Sequence, residues 1–99
     1  MATPIIHVMK RGQLQAIGRR IQEIRKERKI TQGILAERAD LTTNYIGKIE
    51  RGEAQPTLEA LVAIAEALRV NVSNLFLYLD RSQSKDELKS TIKELLNRI

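Results

Sequence analysis

The chain has 99 residues, 42% of them hydrophobic, with two tyrosines, one phenylalanine, no tryptophan and a net charge of +5. That length is one small domain with an aliphatic core, and the modest positive excess suits a polyanionic partner without requiring one. The lack of cysteine excludes disulfides, thiol catalysis and thiolate metal sites, and no apolar run approaches a membrane span.

Residues 1–11 form an N-terminal arm. Thr3-Pro4 suits an N-cap and first helical position, whereas Ile5, Ile6, Val8 and Met9 suit a short strand equally well. The basic residues Lys10 and Arg11 follow the apolar patch instead of preceding it, the wrong order for a secretory signal, so a soluble cytoplasmic protein is expected. Gly12 interrupts any helix running through. From Gln13 to about Lys29 the period is helical, with Leu14, Ile17, Ile21 and Ile24 on one stripe. Between Lys10 and Lys29 stand eight basic residues against two acids, Glu23 and Glu27. Such a face is either solvated and locally paired or turned toward phosphate.

The stretch from Thr31 to Gly52, TQGILAERADLTTNYIGKIERG, reads as two short helices joined by a tight turn. Thr31 caps the first, and Ile30 and Leu35 stand at hydrophobic-staple positions. Asp40 takes the turn, where a left-handed residue is wanted. Thr42 caps the second helix, which runs to about Arg51, and Gly52 ends it. Leu35, Ala36, Ala39, Ile46 and Ile49 face inward, leaving Gln32, Thr42, Thr43, Asn44 and Lys48 pointing out. This is a helix-turn-helix pattern, and it makes sequence-specific DNA binding the leading expectation. Thr43 and Asn44 are short side chains with donors and acceptors suited to base edges in a major groove, and Lys48 favours guanine. The helix N-termini at Gln32 and Thr42 suit phosphate.

After a loop at residues 53–56, Thr57 caps a fourth helix with Leu58, Leu61, Ile64, Ala65 and Leu68 as its buried stripe. Asn71 caps a fifth containing Leu75, Phe76 and Leu79, and Arg69 stands where glycine is expected. A polar break at residues 80–83 leads to a capping box at Ser84–Glu87 and a final amphipathic helix. Its apolar residues Leu88, Ile92, Leu95, Leu96 and Ile99 fall at i, +4, +7, +8 and +11. That face packs either on the core or on its twin in a second subunit. The twin is favoured, because the core is complete by Leu79 and symmetric DNA readers are dimers.

The expected fold is therefore all-α: a five-helix helix-turn-helix domain over residues 12–79, then a linker and dimerisation helix over residues 80–99. Residues from about Leu14 to Phe76 resemble the helix-turn-helix domain of the XRE family, of the phage Cro and repressor type. The resemblance rests on Ile30-Thr31-Gln32, Leu35-Ala36, Tyr45-Ile46, Lys48-Ile49-Glu50-Arg51-Gly52, Pro56-Thr57-Leu58, Ala65 with Leu68, Val70 and Leu75-Phe76. It implies that Gln32 fixes the protein on the DNA backbone and can touch a base, and that Thr42, Thr43, Asn44 and Lys48 face the groove. It implies also that Arg51 contacts phosphate and that Arg25 and Glu50 form an inward ion pair between the first and third helices. Gly33-Ile34 depart from a pattern of two polar residues, Gly47 from a small polar one, and Asp40 and Arg69 from glycines.

The expected partners are double-stranded DNA and a second copy of the chain, with no cofactor and no metal. His7 is the sole histidine, and no phosphate loop or metal-ligand spacing is present, so nothing supports an enzyme. The competing reading is a protein–protein interaction module, or an antitoxin-like partner-binding protein, with weak DNA binding.

Overall fold

Ile17, Ile21 and Ile24 line one side of helix α1 (Arg11–Glu27), and in a computed structural model each is at most 2% exposed. The structure describes residues 9–79. Helices α2 (Gln32–Ala39), α3 (Thr43–Glu50) and α4 (Leu58–Leu68) follow, then a 3-10 helix at Val72–Phe76. The fold is all-α, and the described residues contain no strand. Helix α1 packs on α3 and on the 3-10 helix, while α2 is held between α3 and α4. Leu35, Ile46, Ile64 and Leu75 meet α1's stripe in one aliphatic core, each of the four fully buried. No helix of the described residues is long and apolar enough to cross a membrane.

Three of the four helices start on a threonine. Thr31, Thr42 and Thr57 have extended backbones, and their hydroxyls accept from the N–H groups of Ile34, Tyr45 and Ala60 at 3.0–3.1 Å. Helix α1 begins two residues earlier than its periodicity suggests. The Gln13 side chain accepts from the Lys10 N–H at 2.9 Å and closes the first turn. Gly12 then lies inside that turn without interrupting the helix, at a position whose N–H has no intrahelical acceptor in any case.

All four helices stop in the same way. A residue with left-handed φ follows each one: Lys29 (58°), Asp40 (56°), Gly52 (73°) and Arg69 (60°). Its N–H returns to the carbonyl three residues back, and the next N–H reaches the carbonyl five back, as in Ile30 to Arg25 (3.2 Å), Leu41 to Ala36 (2.9 Å) and Val70 to Ala65 (3.0 Å). This is the double closure of a Schellman motif, and it satisfies two carbonyls of each last turn with backbone donors. Ile30, Leu41 and Val70 then drop onto the core.

Two expectations are corrected here. The fifth α-helix is instead the 3-10 helix, so the domain has four α-helices. The carbonyl of Asn74 accepts from Arg20 Nε at 3.1 Å and from the N–H of Leu77, three residues on, which is 3-10 and not α geometry. Asn71 starts this helix without a side-chain cap. Tyr78 secures the end of the segment: its hydroxyl donates to Glu23, and its ring lies under the Arg20 guanidinium, 5.7 Å away. The hydrogen bond to Glu23 holds the Tyr78 pKa above its ordinary value. The second correction is Leu58, which is 66% exposed. It shares the spacing of Leu61 and Ala65 but sits in the first turn of α4, past the edge of the buried stripe. The final helix, with Leu88, Ile92, Leu95, Leu96 and Ile99, and the arm up to residue 8 lie outside the described residues.

Candidate nucleic-acid interface

The surface is built around one buried ion pair. Glu50, at the last position of α3, has a side chain only 1% exposed. Its Oε2 accepts from Arg25 Nε at 2.7 Å and its Oε1 from Arg25 Nη2 at 3.0 Å, the paired geometry that guanidinium and carboxylate favour. Arg25 Nη1 donates to the carbonyl of Ile30 at 2.9 Å. Gln32 Nε2 adds a third donor to the carboxylate, at 3.0 Å on Oε1. The ion pair thus ties together α1, the loop entering α2, the first residue of α2 and the end of α3. No buried side-chain nitrogen or oxygen of the described residues is left without a partner. That complete satisfaction is what makes a buried charge pair tolerable.

Gln32 carries this network to the surface. Its amide nitrogen is engaged inside, and its Oε1 lies beside Gly47 of α3, 3.6 Å from where a Cβ on that glycine would stand. Arg51 Nη1 covers the same glycine, at 3.0 Å from the same point. Gly47 is therefore buried between two polar side chains, and a side chain there would push the arginine away. Arg51 is otherwise exposed and pairs with Glu53, Nε to Oε2, at 3.1 Å.

A second junction joins the two helix N-termini. A Cβ on Gly33 would stand 3.7 Å from Thr31 Oγ1 and 3.9 Å from Thr43 Oγ1, in ordinary contact with both. Thr42, Thr43, Asn44 and Lys48 are all exposed along α3. The Thr42 hydroxyl spends its acceptor on the Tyr45 N–H, which leaves its proton for an outside acceptor. Gln32, Gly33, Thr43 and Arg51 thus share one polar surface that includes the amino ends of both α2 and α3, where partial positive charge favours anions.

Gly18 is the residue the sequence reading passed over. A Cβ there would stand 2.3 Å from the Ile49 carbonyl oxygen and 2.6 Å from that of Glu50, both backbone atoms. Helix α1 and the end of α3 touch backbone to backbone at this point. The signal was available: a glycine inside a strongly periodic helix costs about 1 kcal/mol against alanine, and close packing is the usual return.

A two-helix motif of this geometry, with a polar exposed second helix, defines the class of helix-turn-helix proteins. The helix-turn-helix family model HTH_3 matches residues 21–75, over half of the chain. The chain belongs to this family of DNA-binding transcriptional regulators, of the XRE type. Among curated relatives, the immunity repressor protein of Bacillus phage phi105 is 51% identical over 57 residues, which is 58% of this chain and 40% of the repressor. The transcriptional regulator SinR of Bacillus licheniformis is 31% identical over 81 residues, 81% of this chain and 73% of SinR. Among solved structures, the restriction-modification controller protein C.Esp1396I, a tetramer in complex with its natural 35 base-pair operator, is similar with a TM-score of 0.62 and 32% identity, over 70% of this chain and 91% of that one.

Proposed function

We propose that the chain is a repressor-type regulator that binds a pseudo-palindromic operator as a homodimer, with α3 lying in the major groove. The observation that carries this reading is the junction of the two helix N-termini. Gln32 and Thr43 flank one exposed surface beside Gly33, where no side chain keeps a nucleic acid from the backbone of α2. Thr43, Asn44 and Lys48 read base edges, Thr42 caps α3 and offers its hydroxyl proton to phosphate, and the backbone N–H of Gln32, at the first position of α2, and the Arg51 guanidinium hold phosphate. A base contact through paired donor and acceptor discriminates by about 1–3 kcal/mol. The homodimer uses the apolar face Leu88, Ile92, Leu95, Leu96 and Ile99.

Selection from a pool of random duplex DNA, at near-physiological salt, tests the reading. The expected product is a two-fold symmetric sequence with half-sites about one helical turn apart. Enrichment of a single half-site removes the dimer, and no enrichment by a folded sample removes the function. Chain cut after Asp80 is expected to be monomeric. A truncated form that remains a dimer transfers the contact to the four-helix domain, where Leu58 and Val62 stand exposed one turn apart on α4.

A further inference from the structure

Away from the recognition surface, the ends of three helices enclose a depression of about 240 Å³. It is lined by Arg28, Ile30, Arg38, Ala67, Leu68 and Arg69. We propose that this depression is a binding site for a small multivalent anion of the phosphate class, held by Arg28, Arg38 and Arg69 over a floor of Ile30, Ala67 and Leu68.

The chemistry of the lining is one-sided. Three of its six residues are arginines and none is a carboxylate. Among the described residues, none of the three takes part in an ion pair. Arg28 is anchored, because its Nε donates to the Leu68 carbonyl at 3.1 Å, which leaves its terminal nitrogens for a ligand. Planar guanidiniums are the side chains best shaped for phosphate oxygens.

The plain alternative is that each arginine merely offsets a helix dipole, since Arg28, Arg38 and Arg69 stand at or near the carboxyl ends of α1, α2 and α4. Two observations weigh against it. Backbone N–H groups at Ile30, Leu41 and Val70 close one carbonyl of each last turn, and Arg28 Nε takes that of Leu68. This leaves the terminal nitrogens of Arg28 and the guanidiniums of Arg38 and Arg69 over, and three helix ends supply about half a negative charge each against three full positive ones. Arg69 also occupies a left-handed conformation (φ 60, ψ 43) that glycine fills without strain. Lys29 and Asp40 stand in the same conformation at the ends of α1 and α2, so what is particular to Arg69 is the guanidinium it brings to the lining.

Size and placement narrow the ligand. The volume lies below the roughly 300–1,000 Å³ typical of pockets for larger organic ligands, so a compact anion fits best. No residue of α3 lines the depression. Arg38 comes five positions after Gly33, roughly 140° around α2, so it lies on the flank turned away from Thr43. The site and the DNA-facing surface are thus separate phosphate-seeking regions of one domain.

The test is a titration of the full, isotopically labelled chain with inorganic pyrophosphate at low ionic strength, followed through the arginine Nε–H signals in nuclear magnetic resonance. Saturable shifts at Arg28, Arg38 and Arg69 are expected. Arg69→Gly removes a guanidinium while relieving the backbone, so it folds at least as well as the parent, and it should weaken binding by about tenfold or more. Arg19→Gln, an equal loss of charge elsewhere on α1, should leave binding unchanged. Equal weakening by both variants would reduce the effect to general charge and overturn the proposal. So would shifts confined to Arg51, or tighter binding of a polyglutamate peptide at the same arginines.

Discussion

Arg25 and Glu50 face each other across the α1–α3 contact with two parallel hydrogen bonds of 2.7 and 3.0 Å, and the carboxylate is almost wholly removed from water. The pair stands directly behind the surface proposed to meet DNA, and Gln32 belongs to both. Removing one partner strands the other. Arg25→Met or Glu50→Leu alone should cost about 3–5 kcal/mol in urea unfolding. The double replacement Arg25→Met with Glu50→Leu should cost far less than the sum, because no uncompensated charge remains. Additive losses would mean that the two groups do not act as a pair.

Two glycines in neighbouring helices should respond oppositely to the same change. Gly18→Ala drives a methyl group into the carbonyls of Ile49 and Glu50 and should destabilise by about 3 kcal/mol. Gly33→Ala meets only ordinary contacts and should stabilise α2 by about 0.5–1 kcal/mol. Thermal melts of the two variants check both signs. If Gly33→Ala also weakens DNA binding while raising the melting temperature, the bare backbone at that point is serving the nucleic acid.

The exposed side chains of α3 should separate recognition from folding. Thr43→Ala and Asn44→Ala are expected to leave helicity and melting unchanged within about 0.5 kcal/mol. Each should cost about 1–3 kcal/mol of preference for the selected operator over unrelated duplex. Competition binding measures this. A variant that keeps the parent's preference would remove that residue from the reading set. Arg51→Gln should instead weaken all sequences alike and lower the salt dependence of binding by about 0.9 in the log–log slope.

Left-handed helix ends occupied by lysine and aspartate leave room for improvement. Lys29→Gly and Asp40→Gly should each raise stability by up to about 1 kcal/mol, the relief of a Cβ in that conformation being partly offset by the greater freedom of an unfolded glycine. A fall in melting temperature for either variant would mean that its side chain makes a contact worth more than the strain.

Much of the fold could be read from the chain because local signals agreed with one another. Thr31, Thr42 and Thr57 each precede an apolar-periodic segment, and the left-handed turn at Asp40 followed from the shortness of its linker. The misreadings were non-local. Leu58 has the right spacing for burial, but spacing cannot say where the neighbouring helices end. The segment after Asn71 has a helical pattern, but its Asn74 carbonyl is claimed by Arg20, 54 positions earlier in the chain. Gly47 was legible as a departure from its family. Its cause, Arg51 lying across it, is a matter of side-chain placement that no periodicity encodes.

The backbone contact at Gly18 sets the tilt of α3 by its own main chain resting on α1, with no side chain serving as spacer. The reading head is therefore seated independently of its lettering. Thr43, Asn44 and Lys48 can be exchanged for other residues without re-aiming the helix that carries them, so, in the role proposed for them, a new target sequence should be reachable by rewriting three surface positions on an unchanged mount.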